Sequence, residues 1–228
     1  MPYNIDNFYR KPEDVPEELQ KHVRKAWVPI CIAEPVPENN LDRFGGVPLI
    51  LEDEDWVTCK SCNKPFSFMG QFEMPEPGCE DFYQVFGCPE HDHDWNISKG
   101  YCRVINKTNA NPKPAPDGLH QVKHETILKW NVIYDIPSIF VLYDMNLGVS
   151  KRTMSEYAKL NYGGTKTGGW PTWTQEVSTP ICCNKEVNFI FQLYEHPSEG
   201  WMWGTDCGLL YVFKCDVCNK LHSQEDGA

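Results

Sequence analysis

The strongest constraint on this chain is a phrase that it writes twice. "CKSCNKPFSFMGQ" begins at Cys59 and "CCNKEVNFIFQ" begins at Cys182. Both run Cys-Asn-Lys, an apolar alternation and a Gln, with no gap between Cys62 and Gln71 or between Cys183 and Gln192. Upstream, Gly45, Gly46 and Pro48 answer to Gly168, Gly169 and Pro171; inside the phrase, Phe68 answers to Phe189 and Met69 to Ile190. Downstream, "VFGCPEH" overlays "VFKCDVC", so Cys88 falls on Cys215 and His91 on Cys218. Strands in general share apolar alternation without sharing Gly-Gly-x-Pro, Cys-Asn-Lys and Gln at fixed distances, so we read an internal duplication. Each half is then a β-rich unit whose cysteine turn leads into a buried strand.

The rest of the chain is read around that repeat. Val15, Leu19, Val23 and Trp27 recur at four-residue steps, with acids before them and bases after. That spacing predicts an amphipathic helix over Val15 to Trp27, with Asp14 as its N-cap. "FSFMGQFEM", "DFYQVFGC", "GYCRVI" and "HETILKWNVIYDIP" read as strands rich in aromatic and β-branched residues. "NKTNANPKPAPDG" reads as a loop between halves, and "SKRTMSEYAKLNYGG" as a helix closed by Gly163. The expected fold is α+β, a β-rich duplication with an N-terminal helix. Its segments are an N-terminal helical segment (1–43), a first repeat with knuckle and linker (44–118), a second repeat (119–222) and a flexible tail (223–228), in one compact unit.

With 228 residues the chain can bury a sizeable core. Its formal charge of -11 repels a nucleic-acid backbone and favours a basic protein as the large partner. The opening "MPYNIDNFYRKPED" lacks the apolar run of a secretory signal, and no stretch is apolar long enough to cross a bilayer, so a cytoplasmic location is expected. Eleven cysteines in a reducing compartment point to metal thiolates and buried thiols rather than a disulfide framework.

A structural zinc ion takes four Cys or His ligands, and Cys-x-x-Cys on a tight turn supplies two of them. Cys59, Cys62, Cys88 and His91 form the expected first site, with His93 and Cys102 as competitors for the fourth place. In the second copy Pro180 stands where the first cysteine would be, leaving Cys182 and Cys183 adjacent, and neighbouring side chains of a regular strand point apart. A weaker second site on Cys182, Cys183, Cys215 and Cys218 is therefore set beside the alternative that "CKSC" and "CDVC" share one ion. Cys31, Cys79 and Cys207 read as bystander thiols.

No catalytic motif stands out. "GGTKTGG" lacks the order of a phosphate-binding loop, and neither Gly-x-Ser-x-Gly nor His-Glu-x-x-His occurs. His120, His124 and His196 are isolated histidines of the packed or surface kind. Trp170, Trp173, Trp201 and Trp203 sit in Gly- and Pro-marked turns. Core packing is the ordinary use of such residues, and partner anchoring the functional one. The acidic runs from Glu52 and Glu90 would flank such a surface.

The combination of a doubled Gly-Gly-x-Pro, the Cys-x-x-Cys-Asn-Lys knuckle, "FSFMGQ" and a late aromatic strand ending near "CDVC" resembles the YwqG-like family. More distantly it is similar to the programmed-cell-death-2 group. The resemblance spans about Phe44 to Cys218. It implies two related α+β halves, a structural metal site in some members and no established enzymatic activity. The programmed-cell-death-2 relatives act as chaperones for a ribosomal protein, and bacterial YwqG-like members are associated with toxin and immunity systems. Cys59, Cys62, Gln71 and Gln192 match the pattern; Cys182-Cys183 departs from it.

The functional expectation is a non-enzymatic, zinc-stabilised protein that escorts or sequesters a basic partner. Its rivals are an immunity protein, a metal-dependent enzyme with its site at His91 and His93, and a single-stranded RNA binder that stacks bases on its tryptophans.

Overall fold

Alternating apolar residues need hydrogen-bonded neighbours on their edges before they make a stable strand, and this chain finds them by interleaving its two halves. A computed structural model describes residues 11–33, 41–88, 100–119, 121–194 and 208–226. A 3-10 turn at Pro12–Asp14 precedes the one-turn helix α1 (Glu17–Gln20) and strand β1 (Arg24–Ile32). Then come β2 (Arg43–Phe44), β3 (Leu49–Leu51), β4 (Ser67–Glu73), β5 (Phe82–Gly87), β6 (Gly100–Ile105) and β7 (Ala110–Pro112). The long strand β8 (Glu125–Asp135) leads into helices α2 (Ile139–Asp144) and α3 (Lys151–Ala158). The chain finishes with β9 (Lys166–Gly168), β10 (Ile181–Cys182), β11 (Lys185–Glu186), β12 (Asn188–Tyr194), β13 (Leu209–Lys214) and β14 (Leu221–Asp226).

Ten of these strands form one sheet in the order β14-β13-β12-β9-β1-β8-β2-β4-β5-β6, while β3–β7 and β10–β11 are separate two-stranded ribbons. At its centre β1 runs antiparallel to β8, from Arg24 opposite Asp135 to Ile32 opposite Thr126. Strand β1 continues onto β9 and β8 onto β2, so the first strand of the chain extends the later half of the sheet. The outermost strands approach each other: the Gly100 N–H donates to Glu225 Oε1 (2.8 Å), and Ser223 Oγ donates to the Gly100 carbonyl (2.7 Å). The sheet is therefore nearly closed into a barrel. Its interior is filled from both halves, with Phe72, Tyr83 and Val85 meeting Phe191, Leu210 and Val212.

The residues paired across the sequence occupy equivalent positions in this sheet. Arg43 lies opposite Gln71 and Lys166 opposite Gln192. The register shifts between Phe68 and Gly70 in one half and between Phe189 and Phe191 in the other. Both glutamines are fully buried. Gln71 accepts the Leu49 N–H and donates to the Leu41 carbonyl, each at 3.0 Å. Gln192 accepts the Thr172 N–H at 3.0 Å and donates to the Gly164 carbonyl at 2.8 Å. Both glycine pairs are left-handed, at φ 60° and 73° for Gly45 and Gly46 and 65° and 72° for Gly168 and Gly169. A Cβ on Gly169 would also lie 2.5 Å from Asp135 Oδ2, so glycine is required there twice over.

The α+β expectation is overturned: fourteen strands and three short helices, of four, six and eight residues, make the described chain mostly β. The helix expected over Val15 to Trp27 is confined to α1, whose N-cap is Pro16 rather than Asp14. Val15 and Leu19 are buried against Ile136 and Leu142, so that part of the spacing marks a true apolar face. From Arg24 onward, pairing with β8 and β9 on both edges outweighs a weak helical preference, and Trp27 joins a strand. Helix α3 is capped by Ser150, whose Oγ accepts the Thr153 N–H, but it ends at Ala158 rather than at Gly163. The expected loop after Asn106 contributes β7, and residues 223–226, expected in a flexible tail, lie in β14. Among the described residues no helix is long and apolar enough to cross a membrane.

Candidate metal centres

Two groups of cysteines converge at opposite halves of the sheet: Cys59, Cys62 and Cys88 in one, Cys182, Cys183, Cys215 and Cys218 in the other. Within each group all sulfurs lie within 4.8 Å of one another. Zn–S bonds of about 2.3 Å place tetrahedral ligands about 3.8 Å apart. The Cys62–Cys88, Cys182–Cys218 and Cys182–Cys183 separations of 3.6, 3.7 and 3.9 Å fit that edge.

The first group is built on the turn Cys59-Lys60-Ser61-Cys62-Asn63-Lys64. Cys59 N–H donates to the Lys64 carbonyl and Asn63 N–H to the Cys59 carbonyl, both at 2.8 Å. Asn63 takes φ 58°, which bends the chain back into β4. Burial works to raise the Cys59 thiol, but N–H groups of Cys62 and Ser61 and the thiols of Cys88 and Cys62 prevail and hold it at about 7. Cys88 arrives directly after β5, and Phe66, Phe68 and Phe86 surround the group. His91 and His93, two candidates for the fourth ligand, lie outside the described residues. Cys102 is excluded: it sits on β6 in the barrel interior, where burial pushes its thiol up.

The second group has the same turn in a different place. Cys215-Asp216-Val217-Cys218-Asn219-Lys220 follows β13, with Cys215 N–H donating to the Lys220 carbonyl (2.9 Å) and Asn219 N–H to the Cys215 carbonyl (2.8 Å). Asn219 also takes φ 58°. The Cys218 N–H, working against burial and helped by the Val217 N–H, holds the Cys215 thiol at about 7. Opposite it, Cys182 pairs with Lys185 across the β10–β11 ribbon. The two turn residues, Cys183 and Asn184, are both left-handed, at φ 50° and 61°. Such a two-residue hairpin turn lets consecutive cysteines aim at one point, which a regular strand forbids. Cys182 is pushed up to about 12, by burial and then by Cys218, Cys215 and Cys183; Cys183 is raised chiefly by Cys218. Several thiolates crowded together resist ionisation until a cation offsets their charge.

These positions bring together the four cysteines expected in the weaker second site. The second set is a complete four-thiol group, and the two Cys-x-x-Cys turns belong to separate groups rather than to one shared ion. The sequence signal for both turns is the six-residue pattern Cys-x-x-Cys-Asn-Lys, which occurs at Cys59 and again at Cys215.

Of the tryptophans, Trp173 is 3 % exposed and packs on Tyr211 and Phe213, so it is core. Trp170 is half-buried, its indole N–H donates to the His22 carbonyl, and the Arg24 guanidinium stacks 3.4 Å from its ring centre. Trp201 and Trp203 lie outside the described residues, as do His120, His196 and Cys207. His124 shares a hydrogen bond with Thr126 Oγ1 (3.2 Å), and burial together with Arg43 lowers its pKa. Cys31 and Cys79 pack against the barrel interior, and burial pushes the Cys31 thiol up to about 12. Of the acidic run from Glu52, Glu54 pairs with Arg103 at 2.5 Å.

Sequence comparison adds a family but no function. No curated protein matches the chain significantly. A family model described as a domain of unknown function, DUF1963, matches residues 42–216, from just before β2 to the start of the second cysteine turn. The matched stretch is most of the chain and holds both cysteine groups except Cys218. The chain belongs to the DUF1963 family.

Proposed function

We propose that this protein is a zinc-stabilised binding module without enzymatic activity, which captures a basic protein partner. One observation carries the reading: Ile181 on strand β10 and Val217 in the turn after β13, beside the second cysteine group, are 72 % and 60 % exposed. A four-thiolate zinc site has no open coordination position, so its role is to fix backbone. Apolar side chains on backbone fixed in advance make effective contacts, because less conformational freedom is lost on binding. The charge of -11 selects and steers a basic partner. The YwqG-like resemblance supports the non-enzymatic part of the reading, and thiol-rich groups suit the reducing cytoplasm. Trp170 and Trp173 are not the anchors in this reading, since Trp173 is core and Trp170 is covered by Arg24.

The test is a capture experiment comparing the wild type with Ile181→Ser/Val217→Ser, both loaded with zinc and quantified by mass spectrometry. Loss of two apolar anchors of about 1–2 kcal/mol each predicts a drop of tenfold or more in the basic proteins recovered. Equal recovery by the two chains removes this surface from the proposal. Recovery with no bias toward basic proteins removes the charge argument.

A further inference from the structure

The two cysteine groups share their chemistry and differ in their surroundings. In the first, Cys59 and Cys88 are 5 % and 8 % exposed and pack with Phe66, Phe68 and Phe86, and Cys62 is half-buried. In the second, Cys183 and Cys218 are exposed and Cys182 is half-buried, with only Cys215 covered. A zinc-bound thiolate remains a nucleophile, and its reaction with an oxidant depends on access. Cys182 and Cys218 lie on different elements, the β10–β11 ribbon and the turn after β13, with sulfurs 3.7 Å apart. A disulfide bond needs about 2.05 Å, so forming it requires the two side chains to turn toward each other. Cys182 and Cys183 are nearly as close, at 3.9 Å, but as neighbours they would close a strained eight-membered ring.

We propose that the second group is a peroxide-sensitive switch, in which oxidation joins Cys182 to Cys218 and expels the metal while the first group keeps its ion. The inference rests on the reading that both groups hold zinc. In the first step the Cys218 thiolate attacks hydrogen peroxide, taking one oxygen to become a sulfenic acid while hydroxide leaves. In the second, the Cys182 thiolate attacks that sulfur, the S–S bond forms and a second hydroxide leaves. The two sulfurs together give up two electrons, and the two hydroxides take protons from solvent to become water. The metal loses two of its four ligands and departs from Cys183 and Cys215. The new bond keeps the ribbon tied to the turn, so the event reshapes the surface around Ile181 and Val217 without unfolding the sheet.

The experiment uses the full chain, reduced, loaded with zinc chloride and freed of excess metal. Zinc per chain is measured first; a chain that holds none overturns both the metal reading and the switch. Peroxide is then added with a chromogenic chelator present. The expected result is release of one zinc at least tenfold faster than the other, with tandem mass spectrometry placing a disulfide between Cys182 and Cys218. Dithiothreitol with zinc chloride should restore the original content. Release of both ions at one rate, earlier oxidation of Cys59, Cys62 or Cys88, or a Cys182–Cys183 bond overturns the switch and leaves the metal reading standing. Cys218→Ser should abolish the fast phase; if that chain does not fold, the wild-type mapping decides alone.

Discussion

Asp135 and Lys166 are wholly buried, and each has its hydrogen-bonding capacity filled. Lys166 Nζ donates to Asp135 Oδ2 and the Tyr162 carbonyl, both at 2.7 Å, and to Thr172 Oγ1 at 3.2 Å. Asp135 also accepts N–H bonds from Trp170 (2.9 Å) and Tyr162 (3.0 Å). Burial lowers the Lys166 pKa, and Asp135 opposes that shift. Removing one member of such a pair leaves the other charge buried without compensation. Lys166→Met should therefore cost about 3–5 kcal/mol, seen as a lower urea midpoint at unchanged slope with zinc content held equal to wild type. A loss under about 1 kcal/mol would show that Asp135 is sufficiently held by backbone N–H groups. Nothing in the sequence marks this pair: Asp135 ends an ordinary strand, and Lys166 lies in "GGTKTGG", whose glycines carry the repeat while its lysine has no counterpart motif. Gln71 and Gln192 were legible because each recurs at a fixed distance from a cysteine. An ion pair formed once, between distant strands, leaves no such trace.

At the level of elements, legibility followed hydrogen-bond partners. Strands β4, β5, β6 and β8 are legible because their alternation and β-branched or aromatic content coincide with their pairing. Strand β1 reads as helix because its partners are supplied by residues about 100 and 140 positions away, which no local pattern displays. The β10–β11 ribbon was missed for a different reason: two adjacent cysteines looked like a damaged knuckle, whereas Cys183 and Asn184 form a left-handed turn. That turn makes a prediction. Asn184→Gly keeps φ 61° accessible and should load metal as the wild type does. Asn184→Val, β-branched and strained at positive φ, should weaken cobalt binding at the second group by tenfold or more and leave the first unchanged. Thiolate-to-cobalt charge-transfer absorption, titrated in each variant, reads both groups. Equal weakening by glycine and valine would mean that the Asn184 side chain, not its backbone, supports the site.

For the whole molecule, the decisive feature is that the sheet almost returns upon itself. Strands β1 and β8 lie at the centre, paired along all of β1 with one bulge, while β6 and β14 are the ends of the sheet and meet through Gly100, Ser223 and Glu225. Gly100 leaves room at this meeting point for the buried Leu210 side chain, a methyl of which would lie 2.5 Å from a Cβ there. Two side-chain hydrogen bonds, one of them to a carboxylate, are worth about 2–4 kcal/mol together. Cutting them with Ser223→Ala/Glu225→Ala should not unfold the protein, because the central pair and the shared interior remain. It should instead free the two ends, so that amide hydrogen exchange rises in β6 and β14 and stays slow in β1 and β8. Exchange that rises evenly through all ten strands would mean that the seam holds the entire sheet in one cooperative unit. The localised outcome would mean that the sheet is built outward from its centre, leaving each cysteine group to stabilise its own half.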